Sequence, residues 1–140
     1  AARDGGQTSP DVTPGGTSTG TRAVAGGSLR VTTETKLGTM FPWAGAMVVF
    51  GSRPMLPVDL SSKNGISFRA KGGTEIRLMA FAKSTGRIPR VKPVQAGTDW
   101  TDIEVKWSDF GMDGSDIQAI LFAGPAAGPA TFHIDDVRLN

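Results

Sequence analysis

Residues 129–140 read PATFHIDDVRLN, and the parity of their apolar side chains decides the fold. Side chains alternate sides along a strand, so Phe132 and Ile134 share one face while Val137 and Leu139 take the other. Asp135 and Asp136 stand where the apolar set changes sides. Two structures reconcile that switch with a strand: a β-bulge, or a strand covered on both faces. Either way the chain ends on a strand with two adjacent carboxylates, which need cations, backbone donors or water around them.

The same two-residue period recurs on working back toward the amino terminus. Residues 117–123, IQAILFA, form an apolar strand, and the strand at 100–107 points Ile103, Val105 and Trp107 inward. Trp100 and Trp107 frame that strand and are assigned to packing. Glu75–Ala82 sets Ile76, Leu78 and Ala80 on one face and Arg77, Met79 and Phe81 on the other. Residues 66–70 turn Ile66, Phe68 and Ala70 inward, with Ser67 and Arg69 outward, and Gly72-Gly73 between these two strands is a hairpin signal. Residues 46–50 read as a central strand covered on both faces. In Ser28–Thr35, Leu29, Val31 and Thr33 alternate with Arg30, Thr32 and Glu34. A short strand is expected at 21–25. A weak edge strand is expected at 90–95, since Pro93 cannot donate to a central ladder. About eight or nine short strands without a helical pattern predict an all-β, antiparallel jelly-roll β-sandwich.

Composition agrees with that class. Nineteen glycines and nine prolines leave no long helical window. A chain of 140 residues makes one domain with a real core. The small, polar residues 1–10 predict a flexible tail, residues 11–20 are turn chemistry, and a single domain is expected over 11–140. The formal charge is 15 − 13 = +2 with no basic run, which does not support nucleic-acid binding. The absence of Cys excludes disulfides and thiol chemistry. No apolar run approaches the roughly 18 residues of a spanning helix. The opening Ala-Ala-Arg-Asp, without Met or a signal-peptide pattern, is expected of a processed form or an excised domain.

Three stretches together carry a family resemblance. DVTPGGTSTG, with Asp11, Gly15-Gly16 and Ser18, resembles the D-x-x-x-G-G-x-S arrangement of the complex I intermediate-associated protein 30 (CIA30) domain. The closing FHIDDVRL resembles the last strand of that family and of carbohydrate-binding modules with a galactose-binding-like fold. The segments at 41–73 and 100–125 are similar to CIA30-like domains that accompany bacterial metal-dependent amidohydrolases. The resemblance runs from about Asp11 to Asn140. It implies a galactose-binding-domain-like jelly roll acting as a non-catalytic accessory or binding module, of the carbohydrate-binding kind, attached to a larger protein. It also implies an exported bacterial setting, with a mitochondrial one as the alternative, because the founding member acts in respiratory complex assembly. Modules of this fold hold a structural calcium near their first and last strands, which singles out Asp11, Asp135 and Asp136 as candidate ligands. Calcium takes about six to eight oxygens, many from backbone, so few carboxylates are needed. The competing reading is a bulge whose carboxylates take backbone N–H groups and an arginine.

Candidate ligand contacts come from the outward residues. Arg69 and Lys71, Arg77, Met79 and Phe81, and Glu104 and Lys106 form one mixed surface if their strands share a sheet. Sugars are held by flat apolar contact plus planar hydrogen-bonding groups, and guanidinium supplies the second. An ordinary solvated face with Arg69 or Arg77 paired to Glu104 fits the same pattern. Trp43, after Pro42, is the candidate exposed aromatic for stacking on a sugar or anchoring a protein, with core packing as the other reading. Together Trp43, Arg69, Arg77, Phe81 and Glu104 make the candidate oligosaccharide site. The alternative is a protein–protein assembly module using residues 41–49 and the Met79/Phe81 patch. GTSTG around Ser18 matches a nucleophile elbow, and Ser18, an Asp and His133 occur in hydrolase order, but the strand–turn–helix context is missing. His133, the sole histidine, makes a zinc centre poorly supplied with ligands. Asp109, Asp113 and Asp116 miss the EF-hand spacing and read as turn residues.

Overall fold

A computed structural model describes residues 7–12, 19–25, 28–35, 44–49, 56–86 and 88–140. Among these residues ten strands run in order: β1 (Gln7–Val12), β2 (Thr19–Ala25), β3 (Ser28–Thr35), β4 (Ala44–Val49), β5 (Gly65–Lys71), β6 (Glu75–Ala82), β7 (Arg90–Gln95), β8 (Thr101–Lys106), β9 (Ile117–Ala123) and β10 (Gly128–Leu139). They form two antiparallel sheets, which we call sheet 1 (order β1-β4-β9-β6-β7) and sheet 2 (order β2-β3-β10-β5-β8). The fold is the antiparallel jelly-roll β-sandwich that the alternating pattern predicts.

The two inner faces meet in one core. Phe132, Ile134 and Val137 of β10 and Ile66 and Phe68 of β5 pack toward Ile76 and Leu78 of β6 and Ile120 and Phe122 of β9. Phe68 and Phe122 join the sheets edge to face, with ring centroids 5.0 Å apart. Trp107 is buried just past β8 and donates its indole N–H to the Leu60 carbonyl (3.2 Å), so its polar atom is satisfied.

The parity switch in β10 is a bulge. Asp135 lies opposite Arg69 and Arg138 opposite Ser67, so three steps on β10 match two on β5. Asp136 takes the left-handed conformation (φ 56°), which a short polar side chain tolerates better than most. The extra residue returns Val137 to the inner face, and Leu139 packs against the same core.

Two expectations need correcting. Residues 7–10 belong to β1 rather than to a tail: β1 pairs with β4, and Pro10 is accommodated because β1 is an edge strand. Gly72-Gly73 does not close a hairpin. It is a corner that takes the chain from sheet 2 to sheet 1, because both glycine N–H groups donate to the Gly97 carbonyl (2.9 Å each) and both residues have positive φ.

Candidate functional site

The sheet order separates the residues expected to share a surface. β5 and β8 are neighbours in sheet 2, so Arg69 and Glu104 do lie on one outer face, in adjacent rows: Ser67 opposes Glu104, and Arg69 opposes Asp102. β6 belongs to sheet 1, so Arg77, Met79 and Phe81 point away on the opposite side of the molecule.

On that opposite side, Phe81 is 6% exposed and Met79 1%, and both join Ala119, Leu121 and Ala123 in a second buried cluster. Phe81 is therefore no contact surface for a ligand, and the Met79/Phe81 patch invoked for protein assembly is closed to solvent. These residues face outward from sheet 1 yet are apolar because β9 is covered on both faces. Arg77 donates from Nε to the Gly124 carbonyl (2.8 Å) and from Nη2 to the Pro125 carbonyl (3.3 Å). Its guanidinium holds the turn between β9 and β10, and burial pushes its pKa down. Trp43 and Ser18 lie outside the described residues.

The outer face of sheet 2 is of a different character. A depression of about 320 Å³ opens over the paired β5/β8 segment at Phe68 and Ile103. Its walls carry Ser67, Arg69, Asp102, Glu104, Asp136 and Arg138. Arg69 Nε lies 3.5 Å from Asp102 Oδ1, and the Asp136 carboxylate receives Nε and Nη2 of Arg138, each at 3.0 Å. Guanidiniums and carboxylates thus alternate around an open, shallow site.

Trp100 completes this face. The Arg69 guanidinium lies 5.3 Å, and the Lys71 ammonium 5.0 Å, from its ring centroid. Both distances suit cation–π attraction. Trp100 is half-buried rather than enclosed in the core, which corrects its assignment to packing. Parity carried the signal: Trp100 is in step with Asp102 and Glu104, not with Ile103, Val105 and Trp107.

Asp135 and Asp136 do their work locally. Asp135 Oδ1 accepts the Asp136 N–H (2.8 Å), which pins the bulge, and Arg138 occupies Asp136. Asp11 belongs to β1 in sheet 1, and its side chain lies outside the described set. Among the described residues no three His, Cys, Asp or Glu side chains come together. With an arginine already on Asp136, the described donors do not fit a calcium ion; the bulge reading accounts for them. Asp109, Asp113 and Asp116 each accept a nearby backbone N–H, from Lys106, Ser115 and Ser84. His133 lies opposite Arg30 on one side and Lys71 on the other. A hydrolase histidine needs a carboxylate to stabilise its cation, and these neighbours do the reverse.

Solved structures to which the chain is similar include carbohydrate-binding modules of three families. The family 11 module from Clostridium thermocellum in complex with a β-1,3-1,4-mixed-linked tetrasaccharide superposes with a TM-score of 0.68 at 20% identity, covering 96% of this chain and 88% of that one. The family 30 module of a cellulosomal cellulase of Clostridium thermocellum gives 0.64 at 20% identity over 97% and 91%. A family 29 module variant complexed with mannohexaose gives 0.57 at 12% identity over 95% and 92%. No protein-family model and no curated protein matches the chain.

Proposed function

We propose that this chain is a non-catalytic carbohydrate-binding module whose ligand face is the outer surface of sheet 2. The observation that carries the reading is the depression over β5 and β8, walled by alternating guanidiniums and carboxylates beside Trp100. Carboxylates accept from sugar hydroxyls, guanidiniums donate to them, and an aromatic edge supplies apolar contact. Arg69 is already held by Asp102 and Trp100, so less side-chain freedom is lost on binding. The likeness to modules of cellulosomal cellulases, and to modules solved with a mixed-linked tetrasaccharide or mannohexaose, supports the same reading and an exported setting. The resemblance of residues 11–140 to CIA30-like domains supports a place beside a linked catalytic domain, of which an amidohydrolase is the candidate. The gene's full reading frame tests that last point.

Calorimetric titration with a panel of oligosaccharides, including the mixed-linked tetrasaccharide and mannohexaose, tests the binding reading. Binding that weakens about tenfold or more in Arg69→Ala and Glu104→Ala, with unchanged melting, is the expected result, since hydrogen bonds to charged groups contribute about 1.5–3 kcal/mol. No heat with any member of the panel, neutral or charged, overturns it.

A further inference from the structure

We infer that the saccharide held by this face is anionic, with its carboxylate or sulfate groups lying along a row formed by Arg30, His133, Lys71 and Trp100. This assignment of ligand class rests on the binding-module reading above. Strand register builds the row: Arg30 of β3 opposes His133 of β10, and His133 opposes Lys71 of β5. Directly opposed residues point to the same face, and Lys71 reaches Trp100 at the entry to β8. Three strand-to-strand intervals of about 4.8 Å make the row roughly 14 Å long, a length suited to an oligosaccharide rather than to one small ion.

No carboxylate interrupts the row. On one side stand the neutral hydroxyls of Thr32 and Thr131. On the other stand Asp135, Arg69 and Asp102, where Asp135 takes the Asp136 N–H and Asp102 faces Arg69. Among the described residues neither Arg30, His133 nor Lys71 has an acidic partner. With the imidazole neutral, the Arg30 and Lys71 cations stand two strand intervals apart, about 10 Å, on either side of His133, so an anion seated over His133 attracts both. His133 reports that field: desolvation, then Lys71, then Arg30 hold its pKa below the usual imidazole range. The groups facing His133 are Arg30 from β3, Lys71 and Arg69 from β5, and Asp135 on its own strand. Trp100 holds the Lys71 head at the row's end and offers apolar area to a sugar ring.

The test is calorimetry on the chain with an oligogalacturonide, a sulfated oligosaccharide and a neutral oligosaccharide of equal length, at low and high salt, with inorganic sulfate as a further probe. We expect an anionic oligosaccharide to bind at least about tenfold tighter than the neutral one and to weaken with salt. Arg30→Gln and Lys71→Gln, both surface changes, should each remove about tenfold for the anionic ligand and little for the neutral one. The His133 ring resonance should titrate at higher pH once the anion is bound, because a nearby negative charge favours the imidazolium. Uronate binding alone assigns a carboxylate, and sulfated binding alone assigns a sulfate ester. Equal affinity for neutral and anionic ligands overturns this assignment and leaves the binding-module reading standing. Inorganic sulfate binding as tightly as the oligosaccharides also overturns it, as a free-anion site, and no binding by any saccharide overturns both.

Discussion

Deleting Asp136 from the middle of β10 should leave the protein folded. A one-residue deletion inside a central strand ordinarily turns every following side chain to the wrong face. Here Asp136 and Val137 together oppose the single residue Phe68, between the Asp135/Arg69 and Arg138/Ser67 pairs. Removing Asp136 lets Val137 oppose Phe68 directly, while Arg138 stays opposite Ser67 and Leu139 opposite Ile66. Val137, 3% exposed, and Leu139 therefore keep their places on the core. The deletion loses the pairing with Arg138 and the Asp136 N–H bond to Asp135 Oδ1, together about 1–2 kcal/mol. It also removes a left-handed residue whose strain is about 1 kcal/mol. The two nearly cancel, so urea unfolding should show a stability within about 1 kcal/mol of the parent. Deleting Ser67 from the facing strand is the contrasting case. It has no bulge to absorb it and forces Ile66 or Phe68, at 0% and 2% exposure, off the core. Losing that burial and the matching register with β8 should remove at least about 3 kcal/mol. A loss of 3 kcal/mol or more on deleting Asp136 would refute the bulge as the device that keeps Val137 and Leu139 inside.

Gly114→Ala should lose about 2–4 kcal/mol in denaturant melts, because φ is +84° and a Cβ would meet Trp107 Cδ1 at 2.5 Å. Gly86→Ala, at φ +66° with open space around it, should lose only about 1 kcal/mol. Thr33→Val should raise stability by about 1 kcal/mol, since Thr33 Oγ1 is buried with no partner among the described residues; a lower midpoint would mean that the hydroxyl is bonded. His133 should titrate below the ordinary 6.5 in ring-proton NMR, and Lys71→Gln should move it up. Because folding weakens proton binding at His133, the unfolded chain holds more protons between the ordinary value and the folded one. Stability therefore falls as pH drops through that window and is unaffected by this group above it.

The inner face was legible because burial and parity are local. Ile66, Phe68 and Ala70, or Ile76, Leu78 and Ala80, announce their strands from a few residues of sequence. β6 and β9 run over the residues read for them. The bulge was legible too, since Asp135-Asp136 interrupts an apolar alternation that resumes out of step. β1 escaped notice because Gln7–Val12 has few apolar residues, and its pairing with β4 supplies what its composition does not. Sheet membership was not legible. A Gly-Gly pair serves a hairpin or a corner equally well, and the carbonyl that decides between them, Gly97, lies beyond the following two strands.

That one corner also governs what the site can be. With β5 and β6 in different sheets, the outward sides of Arg69 and Arg77 lie on opposite outer surfaces of a two-layer sandwich, and a single ligand cannot span both. The proposed surface then draws on β3, β10, β5 and β8 of sheet 2, from residues 28–35, 65–71, 101–106 and 128–139. Each contributes one or two polar side chains that look like ordinary solvated positions within their own segment. Arg30 reads as a strand-exterior charge, His133 as a lone histidine, Lys71 as the last residue before a turn. Only lateral register puts them abreast and leaves them without a carboxylate. A binding face of this kind has no motif, because its spacing is measured across the hydrogen-bond ladder and not along the chain. DFG at 109–111, which does look like a motif, belongs to the turn after β8 and lines no part of the depression.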